Sequence, residues 1–319
     1  MKILMFGRGV IAAIYGRILE QAGHEIEFYV RPGRAATYGQ VINFDLLDLR
    51  RSIWGRRVVQ PWPVHLRETL DAGHDFDLIV LSVPHFRLAE AVTFLAPRVG
   101  KATILIFGNL WTEPQTAVEE LPTGQVAWGF PQAGGKFSQG GVLRGSLLPS
   151  VIFGTFGKPP NERERTVREV FRGAGFRPQE QSDFRGWLWL HFVFNAGVHL
   201  QGLKLGSLAK LIGRTDALRE ALLVSRELLP LLEARGVDLR RHRGGVLPFR
   251  APIWLTAPAL SWVLAHIPSL RANLEVNSDP EAQESREICQ DILTEARRLK
   301  VSVPRLEAAE PAFAPKSGP

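Results

Sequence analysis

Hydrophobic and polar positions along the first part of the chain fall into short apolar runs separated by helical stretches. KILMF (2–6), HEIEFYVR (24–31), DLIVLSV (77–83), ATILIFG (102–108) and GQVAWGF (124–130) read as strands. VIAAIYGRILEQAG (10–23), between the first two, has helical spacing and stops at Gly23. Strands this apolar need cover on both faces, which predicts an α/β parallel sheet flanked by helices. GVLRGSLLPSVIFGTFG (141–157) reads as a hairpin, and NERERTVREVFRGAG (161–175) as a charged helix. Beyond Asp183 the strand pattern ends, and helical stretches run to about residue 300.

One of those later stretches breaks the apolar rule. RGWLWLHFVFNAGVHLQGL (185–203) is almost wholly apolar, yet keeps His191, Asn195 and His199 at intervals of four. On an α-helix that spacing puts all three on one side, drifting about 40° per step. Such a line belongs either to a buried polar network or to a cleft.

The turn after the first strand carries the clearest chemistry. MFGRGVIA gives Gly7, Gly9 and Ala12, a G-x-G-x-x-A turn between a strand and a helix. The first glycine permits the tight turn, the second lets a pyrophosphate approach the backbone, and the third position stays small so that helix and sheet pack. The motif opens a βαβ unit, the context it requires. The second strand ends YVRPGR, without the carboxylate that would hold a free ribose; Arg31 and Arg34 suit a 2′-phosphate, so NADP(H) is the expected cofactor. Cofactor contacts are expected at Gly7, Arg8, Gly9, Val10, Ile11, Arg31 and Arg34. Ligands lie at the carboxyl ends of such strands, which brings in SVPHF (82–86), GNLW (108–111) and GFPQAGG (129–135). Asn109 could hold the nicotinamide ribose or a substrate oxygen, and His85 is a candidate acid. The glycines of GFPQAGG bring backbone close to a ligand or simply make a tight loop.

The expected organisation is thus a Rossmann-type doubly wound domain over 1–180, an all-helical substrate or dimerisation domain over 181–306, and a flexible tail over 307–319. The 319 residues, 45% hydrophobic and 22% charged, suffice for it. The single cysteine, Cys289, rules out an intrachain disulfide and fits a reducing cytoplasm. A net charge of +7 raises nucleic acid as a partner, but the arginines are scattered, and the one dense run, RGVDLRRHRGG (235–245), reads as a solvated loop. No signal peptide is evident. APIWLTAPALSWVLAHIP (251–268) is broken by Pro252, Pro258 and His266, so it reads as a buried helix or a homodimer contact rather than a membrane span. No His/Asp/Glu cluster has metal-ligand spacing.

MKILMFGRGVIAAIYG, AGHEIEFYVR, IFGN, the helical second half and Glu284, twenty residues before Pro304, together resemble the ketopantoate reductase (2-dehydropantoate 2-reductase) family over nearly the whole chain. The resemblance implies a Rossmann domain, a helical domain like that of 6-phosphogluconate dehydrogenase, NADPH, and reduction of a 2-keto acid. It lays Gly7, Gly9 and Arg31 on cofactor positions, Asn109 on the cleft asparagine, and Glu284 on the glutamate that holds the substrate's hydroxyl end. The family's catalytic lysine is absent. In one register His191 takes its place and Asn195 matches the asparagine four residues on; in another, Trp189 replaces it and His191 is a neighbour. A second lysine is lost to Pro84 or His85, and Ser269 lies too far from Glu284 to match the family's carboxylate-binding serine. The resemblance therefore implies a substrate cleft between the domains with His191, Glu284 and Asn109 as catalytic candidates, and Asn195 and His85 as substrate contacts. His191 would donate a proton to the alkoxide, its pKa raised by Glu284. The alternative is an NADP(H)-binding sensor or partner subunit that has lost the chemistry.

Overall fold

The run Lys2–Phe6 forms β1, and its last four side chains are buried because helices cover both faces of the strand. The other strands are β2 (Glu25–Tyr29), β3 (Val41–Asp48), β4 (Arg56–Pro63), β5 (His65–Arg67), β6 (Leu78–Leu81), β7 (Thr103–Phe107), β8 (Val126–Phe130), β9 (Ala133–Phe137), β10 (Val142–Leu147), β11 (Ser150–Gly154) and β12 (Arg177–Gln181). They make an eight-stranded sheet ordered β12-β11-β8-β7-β6-β1-β2-β5 and a four-stranded sheet ordered β4-β3-β10-β9. In the large sheet β8, β7, β6, β1, β2 and β5 run parallel. β11 opposes β8, and β12 runs with β11. The computed structural model describes residues 1–52, 54–267, 270–271, 274–275 and 283–314. Two units divide the chain, Met1–Phe184 and Arg185–Pro319, where a boundary at residue 180 was expected.

The first unit also holds α1 (Val10–Gln21), α2 (Ala35–Tyr38), α3 (Leu88–Leu95), α4 (Pro114–Ala117) and α5 (Glu162–Gly173). Ile14, Tyr15, Ile18 and Leu19 of α1 share one core with Phe28 and Val80 of the large sheet and Phe44 and Leu143 of the small one. Burying each such side chain contributes about 1.5–3 kcal/mol, so α1 is fixed from both sides.

Two expectations are corrected here. Residues 141–157 are not a hairpin: β10 joins the small sheet and β11 the large one, because each run finds its partner far along the chain. GFPQAGG is a loop only at Pro131 and Gln132, since β8 runs to Phe130 and Ala133–Phe137 is strand β9. A Cβ on Gly135 would lie 2.6 Å from the Arg144 carbonyl oxygen and 3.0 Å from Val10 Cγ1, so the glycine is there for close packing of β10 and α1.

The second unit is helical: α6 (Phe184–Leu205, starting on the last residue of the first unit), α7 (Thr215–Glu227), α8 (Leu229–Ala234), α9 (Arg243–Arg250), α10 (Ile253–His266), and then the helices Gln283–Leu299 and Pro304–Ala308. Gly197 lets α6 touch α7, because a Cβ there would sit 2.4 Å from the Ala221 carbonyl oxygen. Within the tail expected over 307–319, residues 307–314 are tied to the helical unit. Glu227 accepts from the backbone N–H of Arg305 and Leu306, Arg297 pairs with Glu310, and Phe313 is buried. The basic run 235–245 is only partly solvated: Arg235 lies 3.5 Å from the Trp189 ring centre and pairs with Glu295, while Arg240, Arg241 and Arg243 are exposed. α10 exposes Trp254, Leu255 and Trp262. Among the described residues no helix is long and apolar enough to cross a membrane.

Candidate functional site

The carboxyl ends of β7, β6, β1, β2 and β5 lie side by side, and nearly every candidate in the first unit falls on that edge. Gly7 follows β1 with φ +96°, a conformation that L side chains rarely adopt, and its N–H donates to the Tyr29 carbonyl oxygen at 2.9 Å. Gly9 caps α1 in extended conformation, and no side chain caps the helix. A Cβ on either glycine would meet nothing within 4 Å. The first N–H groups of α1, including those of Val10 and Ile11, are therefore left for an anion by a cradle with room in front of it. Ala12 is buried, as the third position of the motif requires.

Arg8 sits within this turn, its guanidinium 5.2 Å from the Tyr38 ring centre and 5.3 Å from that of Phe137. Its Nη2 donates to the Val41 carbonyl oxygen, and its buried Nε has no hydrogen-bond partner among the described residues. The loop after β2 exposes Arg31 and Arg34, the latter 5.8 Å from the Tyr38 ring centre. From the end of β5, Glu68 reaches into the same loop and accepts from Ala35 N–H at 2.7 Å. Neither Glu68 nor the Tyr38 and Phe137 rings stands out in the sequence, because each reaches the edge from a segment outside the glycine motif.

Three strands from β2 in the sheet, Asn109 follows β7 by two residues; its Oδ1 is buried and without a hydrogen-bond partner among the described residues. A buried amide oxygen left so is costly unless a ligand satisfies it. His85 opens the turn after β6, half-buried, its ring against Phe86. Together, the uncapped helix, the open space at Gly9 and the orphaned Asn109 Oδ1 fit a dinucleotide laid across this edge.

In the second unit His191, Asn195 and His199 all lie on α6 and are half-buried. His191 stacks on Trp187, rings 5.4 Å apart and 8° from parallel. His199 Nδ1 meets Ser285 Oγ at 2.6 Å. The expected rise in the His191 pKa is reversed: burial first, then the charge of His199, lowers it to about 4. Burial alone lowers His199 to about 4. Both rings are thus neutral at pH 7. Glu284 lies in the first turn of Gln283–Leu299, exposed. Trp189, the alternative lysine position, is buried beneath Arg235. Ser269 lies outside the described residues. Among the described residues no group of three His, Cys, Asp or Glu side chains is placed to hold a metal ion.

Residues 3–156 match the model of the family described as ketopantoate reductase PanE/ApbA. Among solved structures, the chain is similar to a 2-dehydropantoate 2-reductase from Geobacter metallireducens GS-15, at 16% identity over 98% of this chain and 99% of that one, TM-score 0.70. It is also similar to a PanE/ApbA family ketopantoate reductase from Ralstonia eutropha JMP134, at 16% identity over 98% and 97%, TM-score 0.66. A D-mandelate dehydrogenase solved with NADH and anilino(oxo)acetate is similar at 15% identity over 98% and 97%, TM-score 0.65. At these identities the likeness shows the fold. No curated protein sequence matches the chain.

Proposed function

From the match of residues 3–156 to the ketopantoate reductase PanE/ApbA family, we propose that the protein is a reductase of a small 2-oxo acid, with NADPH as the expected cofactor. The observation that carries the reading is the uncapped, unobstructed start of α1 on the same strand edge as the orphaned Asn109 Oδ1. Val10 and Ile11 N–H would receive the pyrophosphate, Arg31 and Arg34 the far phosphate, and Asn109 the nicotinamide ribose. When bound, the dinucleotide supplies the hydride.

The protein's own task is then to polarise the carbonyl and return a proton to the oxygen. His191 is the proposed donor in its neutral form, since its pKa near 4 keeps it uncharged at pH 7. A neutral imidazole N–H can donate to a carbonyl oxygen and stabilise the alkoxide, the ring recovering its proton from water. Asn195, one turn on, is the proposed second contact to that oxygen, with Glu284 at the substrate's polar end and His85 a further polar contact. A D-mandelate dehydrogenase of the same fold, solved with an oxo-acetate compound, supports the substrate class.

The absence of lysine at 84, 85, 189 and 191 favours a second reading, a dinucleotide-binding protein without turnover. Following the nicotinamide absorbance with a panel of 2-oxo acids, ketopantoate included, separates the two. Turnover of any member supports the reductase. Cofactor binding without turnover across the panel supports the sensor and overturns the catalytic assignment of His191.

A further inference from the structure

We propose that Glu68 is the residue that sets the cofactor preference, as the carboxylate beside the adenosine ribose, accepting NADH and opposing the 2′-phosphate of NADPH. The inference rests on the dinucleotide reading and revises the preference drawn from Arg31 and Arg34 alone. An NAD-preferring domain usually places its acid at the end of the second strand, where a carboxylate oxygen accepts from a ribose hydroxyl. In this chain that position holds Arg31. The next strand out supplies the acid instead. β5 lies parallel to β2 with Tyr29 opposite Arg67, and Val30 N–H donates to the Arg67 carbonyl oxygen at 2.9 Å. Glu68 therefore stands beside Val30 and Arg31 at the carboxyl edge of β2.

Its side chain is held there. The carboxylate accepts from Ala35 N–H at 2.7 Å. Hydrogen bonds from the backbone of Ala35, then Gly33 and Arg34, keep the carboxyl below the usual carboxylate range, so it is ionised at neutral pH. Gly33, at φ +80°, gives the loop the turn that wraps around this carboxylate. Arg31 and Arg34 are exposed on the same loop, and Arg34 is drawn toward Tyr38. A 2′-phosphate entering here would find attraction from two exposed arginines and repulsion from one carboxylate held by backbone hydrogen bonds. A 2′-hydroxyl can donate to that same carboxylate. The fixed group governs the choice, because its orientation needs no further ordering on binding.

The test is direct titration of the full chain with NADPH and with NADH, without substrate, for the wild type, Glu68→Gln and Glu68→Ser, with melting temperature recorded alongside. Gln retains an acceptor for Ala35 N–H, and Ser is a second, smaller change should Gln disturb the loop. The wild type should bind the two cofactors within about tenfold of each other, and both variants should move the affinity ratio toward NADPH by about tenfold, the size of one charge-assisted hydrogen bond. If the ratio stays fixed while the variants bind and melt normally, Glu68 is only a loop tie and the inference is overturned with the dinucleotide reading intact. If the wild type binds neither cofactor, the dinucleotide reading itself falls and takes the inference with it.

Discussion

The turn at Gly7–Gly9 and the polar line on α6 carry the functional reading, and they are built from different materials. The first is backbone: an uncapped helix start, a positive φ, and room where side chains would be. The second is side chains whose state depends on distant partners, such as Ser285 against His199, 86 residues apart. A backbone site is written in a few adjacent residues. A side-chain site acquires its chemistry only when the rest of the unit folds around it, and the His191 pKa, lowered where a rise was expected, shows the consequence.

Substitutions can separate the two. Gly9 has φ −73° and open space, so Gly9→Val should fold normally yet lose about 100-fold in dinucleotide affinity, equivalent to two charge-assisted hydrogen bonds. Gly7→Val should lose binding and also about 1–3 kcal/mol of stability, because its φ is +96°. Calorimetric titration with denaturant unfolding measures both; equal stability losses would mean the cradle is not a matter of backbone.

On α6 the order is reversed. His191→Ala should lower kcat about 100-fold, the contribution of a positioned proton donor, with dinucleotide affinity unchanged. A matching fall in affinity in direct titration would place His191 in cofactor binding instead.

The same helix should carry an acid-sensitive part of the stability. His191 and His199 are neutral when folded down to about pH 4 but take up protons near 6.5 when unfolded. Their contribution is complete above about pH 6.5 and is lost as pH falls toward 4, at most roughly 3 kcal/mol per ring, on the order of a two-unit shift. Urea unfolding at pH 7, 5.5 and 4.5 reads this slope, and His199→Gln should flatten it; an unchanged slope would show that burial of these rings is not what sets their charge. The smallest effect is at the end of the helical unit, where Glu227→Ala should cost about 1 kcal/mol, the size of a lost helix cap, and leave cofactor binding untouched. A melting curve checks it.

Legibility in the sequence follows the same division. β1, α1 and β2 declare themselves because their signals are local: apolar runs, helical spacing, glycines at fixed offsets. The small sheet is half legible. β3 alternates buried Ile42, Phe44 and Leu46 with more exposed neighbours, but its parallel partner β10 lies about a hundred residues on. That distance also makes 141–157 look like a hairpin, since adjacency along the chain hides that β10 and β11 enter different sheets. Residues 307–314 look like a tail by composition, and what orders them is Glu227, Arg297 and a buried Phe313, contacts no local pattern announces. At the candidate site the sequence suffices for Gly7, Gly9 and Asn109. It does not suffice for Glu68, because the strand that delivers it is three residues long.

The most direct test of the cradle is titration of the wild-type chain with NADPH and NADH, followed by tryptophan fluorescence and calorimetry. One equivalent of dinucleotide bound per chain, weakened about 100-fold by Gly9→Val at unchanged melting temperature, is the predicted result. Binding of neither cofactor, or binding indifferent to Gly9→Val, would mean that Gly7–Gly9 is merely a tight turn and that the reductase reading has lost its foundation.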